Sequence, residues 1–200
     1  ASMEMQVLSH DAAELKEESE RLYVGYFSGS KTHDQDFALI EDVLLKVMDR
    51  HPNVYLKLVG VLSEDKMKRV QNRIEKLGFM DWKKLPEQVA SVDINLMPLE
   101  NTLFHCCKSE NKWMEAALVK TPSVMSRNAE MELAVENGVT GFLCSTAEEW
   151  EAALEKLVTD AAFRKNMGEN AYSAVMERYT TQNTGEQARM LVLGETDPKE

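Results

Sequence analysis

The chain has 200 residues, with 34 acidic against 23 basic side chains, a formal net charge of −11 and three cysteines. That length suffices to bury roughly 70% of the surface an unfolded chain exposes, enough for one core without disulfides or metal, and the acidity leaves no cationic excess for a polyanion, which excludes nucleic acid and anionic membrane as expected partners. Cys106 and Cys107 are adjacent and poorly placed to bridge each other, so with Cys144 they fit a reducing compartment, and a cytoplasmic location is expected.

In chain order, residues 1–20 are acidic and weakly periodic and read as a linker or appended helix, without the charged-then-apolar layout of a signal peptide. An apolar, aromatic run predicts a first strand at 23–27. Residues 34–50 carry Phe37, Ile40, Leu44, Val47 and Met48 at helical spacing, and His51-Pro52 ends that helix. A second strand is expected at 54–59, a charged helix at 65–77 closed by Gly78, a third strand at 79–82 and a short helix at 86–91. The fourth strand falls at 94–97, a helix at 109–119, and the fifth and sixth strands at 123–126 and 141–144. Trp150, Ala153, Leu154, Leu157 and Val158 stripe a helix over 148–158, and Asp160 is placed to cap a last helix over 161–179. Residues 181–200 finish in Gly194, Pro198 and charges and read as a frayed tail. No run approaches the ~18 apolar residues of a transmembrane segment. Strands alternating with helices predict an α/β fold over residues 21–180, a Rossmann-like parallel sheet of about six strands with helices on both faces.

Ligands of open α/β sheets bind where strand carboxyl ends meet loops and helix N-termini. The loop after the first strand, Ser28-Gly29-Ser30-Lys31-Thr32-His33, offers uncovered amides, a cation and an imidazole, which suit a phosphate as well as they suit a polar turn before a helix. After the fourth strand, Ser109 is placed to cap a helix whose positive end carries Lys108 and Lys112, a cradle for a diphosphate. Glu115, further along that helix, is a carboxylate able to accept both hydroxyls of a ribose, or else a solvated acid paired with Lys108 or Lys112. Asp34-Gln35-Asp36 spells D-x-D but lies at a helix start, where acids are favoured by the dipole. His105, Cys106 and Cys107 with Cys144 match no structural zinc spacing, so no metal is expected.

Taken together, five ordered signatures resemble the donor-binding domain of retaining GT-B glycosyltransferases of the E-x7-E family, the family 4 or group 1 type. The first-strand loop from Tyr26 to Phe37 is similar to that of a bacterial surface-polysaccharide subgroup, and Ser91-Val92-Asp93-Ile94-Asn95-Leu96-Met97-Pro98 to the family's fourth strand. Lys108-Ser109-x-x-Lys112-x-x-Glu115-Ala116-Ala117 before Pro122-Ser123-Val124, then Asn137-Gly138-x-x-Gly141, then the closing helices from Trp150 to Tyr179, complete the likeness.

The resemblance implies a nucleotide-diphosphate sugar as donor substrate and no metal cofactor. It places the ribose on Glu115, the diphosphate on Lys108, Ser109 and Lys112, and closure over the phosphates on Gly29, Ser30 and Lys31, assisted by His33. The base would lie near residues 79–82. The acceptor would bind a separate N-terminal domain, so the chain is expected to be one half of a GT-B fold, inactive in transfer by itself. Where the family has its first glutamate, which contacts the transferred sugar, Cys107 stands, with Glu110 close enough to substitute in part. Lys120-Thr121 replaces the glycine that usually precedes the proline, so looser backbone packing is expected there. The competing reading is a non-catalytic Rossmann-like scaffold that has lost sugar transfer; a nicotinamide site would need G-x-G-x-x-G at the first turn, and Gly29-Ser30-Lys31-Thr32-His33-Asp34 lacks it.

Overall fold

The computed structural model describes residues 1–14, 19–28, 34–60, 65–100, 102 and 109–193. Its centre is a six-stranded sheet of β1 (Leu22–Phe27), β2 (Val54–Val59), β3 (Ile74–Leu77), β4 (Ile94–Met97), β5 (Ser123–Ser126) and β6 (Phe142–Cys144), in the order β3-β2-β1-β4-β5-β6. Every pair is parallel. The order reverses between β1 and β4, so the carboxyl ends of those two strands form the topological switch point where such sheets bind ligands.

The two-residue alternation of the strands feeds two layers. Leu22, Val24 and Tyr26 of β1 join Val54, Leu56 and Leu58 of β2 in one buried cluster, covered by α3 (Glu41–Arg50) and α7 (Ala147–Thr159). On the other face Phe27 and Val59 pack with Val89 and Ala90 of α4 (Leu85–Ala90) and Ala116 of α5 (Asn111–Leu118). Ala12 of α1 (Met3–Glu14) enters the same cluster, so the appended N-terminal segment docks as a helix. Trp113, Ala117 and Leu118 of α5 meet Met131 and Ala134 of α6 (Ala129–Ala134) and Ala171 and Val175 of α8 (Ala161–Arg178). Phe163 and Met167 of α8 belong to the first layer, so this one helix ties both layers together. Asp160 caps it, accepting from the Phe163 amide at 2.9 Å.

Several expectations change. The helix expected over 34–50 divides into α2 (Asp34–Ala38) and α3. Between them Leu39 N–H donates to Asp36 O at 3.3 Å and Ile40 N–H to Phe37 O at 3.0 Å, a tightened turn in which Phe37 and Ile40 are both fully buried. The charged helix expected over 65–77 is a pair of 3₁₀ turns over Asp65–Arg73, kinked at Val70, followed by β3. Helix propensity in Ile74-Glu75-Lys76-Leu77 yields there to pairing with the open edge of β2, and the Arg73 guanidinium anchors the entry by donating to Met48 O at 2.7 Å. The third strand therefore ends before residues 79–82, where Phe79 stands exposed and Asp81 caps the 3₁₀ turn Trp82–Lys84. The sequence reading also missed α6, whose first turn Asn128 caps by accepting from Met131 N–H at 2.9 Å. The expected frayed tail continues as α9 (Thr181–Leu193).

Packing at residues 120–122 is tight rather than loose. Lys120 takes the glycine-favouring φ of 58°, and Gly168 of α8 lies so close that a Cβ there would sit 2.1 Å from Lys120 O. The glycine that permits the close approach is contributed by the facing helix.

Candidate functional site

At the switch point β1 ends on Phe27 and β4 on Met97. The exit of β1 is locked to that of β2: Ser28 N–H donates to Val59 O at 2.7 Å, and Gly60, at φ 104°, passes so near that a Cβ would meet Ser28 O at 1.9 Å. Only glycine fits both the conformation and the contact.

Helix α5 starts above this edge with its rotation fixed by its buried side chains. Trp113, 1% exposed, donates through Nε1 to Thr140 O at 3.0 Å, while Ala116 packs in the layer containing Phe27. That anchoring turns Lys112 toward β1, where its ammonium donates to Phe27 O at 2.8 Å and lies 5.9 Å from the Tyr26 ring centroid. Glu115, three residues on, shares the Lys112 face. It is half-buried, and desolvation pushes its carboxyl above the usual carboxylate range, with the Lys112 charge pulling it partly back. Among the described residues none donates a hydrogen bond to its carboxylate.

The expected Ser109 cap is corrected. Glu110 is the cap residue, its side chain accepts none of the first-turn amides, and Ser109 is exposed just outside the helix. Backbone geometry, with Glu110 already near helical φ and ψ, moves the start one residue along. Glu110 does not join Lys112 and Glu115: it lies on the Trp113 side, where its charge partly offsets the desolvation that lowers the pKa of the Ala1 ammonium. Gly29, Ser30, Lys31, His33, Cys107 and Lys108 lie outside the described residues.

Sequence reasoning overlooked two residues at this edge. Asp36 is fully buried and accepts from Glu100 N–H at 2.8 Å, and Ser126 at the end of β5 accepts through Oγ from Leu99 N–H at 2.8 Å. The D-x-D pattern had drawn attention to Asp36, and its helix-start reading holds, but what it touches depends on strand order. Among the described residues no three His, Cys, Asp or Glu side chains could hold a metal ion. The Cys144 thiol is buried and pushed up to about 12 by desolvation and the Glu149 charge, against the pull of Arg127. No helix of the described residues is long and apolar enough to cross a membrane.

A doubly wound parallel sheet, with Lys112 and Glu115 on one helix face at its switch point, defines a Rossmann-like α/β domain. The sequence matches the glycosyl transferases group 1 family over residues 19–160, and the chain belongs to that family. It is 30% identical over 144 residues to D-inositol 3-phosphate glycosyltransferase of Corynebacterium jeikeium, covering 64% of this chain and 33% of that protein. Among solved structures it is similar to Anabaena HepE in complex with UDP and glucose, with a TM-score of 0.72 at 19% identity, over 96% of this chain and 52% of that one. It also resembles the C-terminal domain of the group 1 glycosyl transferase LpcC of Francisella tularensis, with a TM-score of 0.63 at 16% identity, over 88% of this chain and 93% of that domain. The chain thus spans about a third of the Corynebacterium protein and about half of HepE.

Proposed function

We propose that the chain is the donor-binding, C-terminal half of a GT-B glycosyltransferase and holds a nucleotide-diphosphate sugar at the β1/β4 switch point. The observation that carries this reading is the Lys112 ammonium seated 2.8 Å from Phe27 O, with the half-buried Glu115 on the same helix face. Family membership supports glycosyl transfer, the length match to an isolated C-terminal domain supports one half of the fold, and the UDP complex of HepE supports a nucleoside diphosphate.

In transfer, the bond from the anomeric carbon to the diphosphate breaks as an acceptor hydroxyl bonds to that carbon, negative charge gathers on the leaving diphosphate, and the hydroxyl proton passes to that diphosphate. The amino-terminal end of α5 and the Lys112 ammonium stabilise that charge without a metal. Glu115 accepts the two ribose hydroxyls, which replace the hydration its carboxylate has lost. Lys108, Ser109 and the 29–33 loop complete the phosphate cradle in this reading. The acceptor binds an N-terminal domain, and the two halves close on the donor in the cytoplasm during polysaccharide or glycan synthesis.

A thermal-shift panel of UDP, GDP, CDP, ADP and dTDP tests the reading. One diphosphate at 100 times its Kd adds about 2.7 kcal/mol, or roughly 5–10 °C in Tm for a domain of this size. Glu115→Ala and Lys112→Ala reduce the shift. No shift from any diphosphate at millimolar concentration replaces this reading with the non-catalytic scaffold.

A further inference from the structure

Resting on the donor-site reading, we propose that Asp36 is a positioning residue for the donor site: its buried carboxylate, with Ser126, fixes where the chain leaves β4 on its way to α5. Two consecutive amides at this exit are held by side chains of different elements. Leu99 N–H donates to Ser126 Oγ at the end of β5, and Glu100 N–H to Asp36 Oδ1 in α2, each at 2.8 Å. At the other end of the connection Lys112 seats α5 on Phe27 O at 2.8 Å. The described residues on either side of that connection are thus held, Leu99 and Glu100 by β5 and α2, and Lys112 by β1.

Burial makes the Asp36 contact directional. With the residue fully buried, its carboxylate cannot exchange the Glu100 amide for bulk water, and charge-assisted bonds of this kind are the stronger ones. Asp36 lies three residues after residues 29–33 in sequence, and Glu100 directly precedes the connection to α5. One carboxylate thus links α2 to the chain as it leaves β4. An acid at a helix start needs only the dipole and stays solvated; Asp36 is instead turned into the protein and spent on the neighbouring crossover.

The test measures nucleoside diphosphate affinity by isothermal titration on the 200-residue chain, using the tightest binder of UDP, GDP, CDP, ADP and dTDP, at a temperature where every variant is folded by circular dichroism. Asp36→Ala is expected to weaken binding about tenfold. Asp36→Asn, which keeps an oxygen to accept from Glu100 N–H, retains affinity within about threefold. A packing variant far from the switch point, Leu154→Ala, is destabilised yet binds as wild type, which separates positioning from loss of stability. Equal affinities of Asp36→Ala and wild type overturn the proposal while leaving the donor site standing, whereas absence of binding by wild type to every diphosphate overturns both. Should Asp36→Ala not fold, Ser126→Ala carries the test, with a several-fold loss expected and an unchanged affinity refuting the role.

Discussion

Replacing Gly168 by alanine should destabilise the domain although alanine is the better helix former. On an exposed helix the change would contribute up to about 1 kcal/mol of stability. Here the new Cβ would lie 2.1 Å from Lys120 O and 2.8 Å from Lys120 C, over 1 Å inside an ordinary carbon–oxygen contact. The turn cannot yield easily, because Lys120 N–H and Thr121 N–H donate to Ala117 O and Ala116 O, each at 2.9 Å, on the buried face of α5. Helix α8 must move instead, which separates Ala171 and Val175 from Trp113 and Ala117. Overpacking of this kind costs about 1–3 kcal/mol, which lowers Tm by roughly 2–12 °C for a domain of this size. Calorimetry with Gly185→Ala as control measures it, since a Cβ at Gly185 in α9 meets nothing within 4 Å and should be neutral or stabilising. A Gly168→Ala variant as stable as wild type would refute the close approach of α8 to Lys120.

Glu115→Gln should stabilise the unliganded domain at pH 7. Burial raises the folded-state pKa of Glu115, so the folded state holds its proton more tightly than the unfolded state, and stability is lost as pH rises from the ordinary carboxylate range through that raised value. Urea titrations should therefore show the advantage of glutamine at pH 7 shrinking toward pH 4, and a constant difference would contradict it. Cys144, with its thiol pushed up to about 12, should resist iodoacetamide at pH 8 in the folded chain and react on unfolding, as read by peptide mapping; rapid native labelling would contradict its burial. Trp113→Phe leaves Thr140 O without its indole donor, 3.0 Å away in wild type, and should cost about 1–3 kcal/mol in urea unfolding; an unchanged midpoint would show that this bond does not hold α5.

Elements buried on both faces were the most legible in the sequence. The bounds of β2, β4 and β5 agree with expectation because these short segments are buried on both faces of the sheet along nearly their whole length. The edge strand β3 was misplaced because Glu75 and Lys76 suit a helix and only the free edge of β2 makes them a strand. The face of α5 was readable from the three-residue spacing of Lys112 and Glu115, whereas the exact cap was not, since Ser109 and Glu110 compete within one residue. Asp36 and Ser126 were invisible as partners of Glu100 and Leu99, because those contacts join α2 and β5 to the chain leaving β4, segments far apart in sequence that only the strand order brings together. The missing glycine before Pro122 misled for the same reason, as its counterpart Gly168 lies on another helix.

The most direct measurement compares the nucleoside diphosphate that binds with its 2′,3′-dideoxy analogue, by titration against wild type and Glu115→Ala. If Glu115 holds the ribose, removing both hydroxyls weakens wild-type binding at least tenfold and leaves the Glu115→Ala affinity nearly unchanged. An equal loss in both proteins would mean that the sugar ring lies elsewhere and that α5 is not the donor helix.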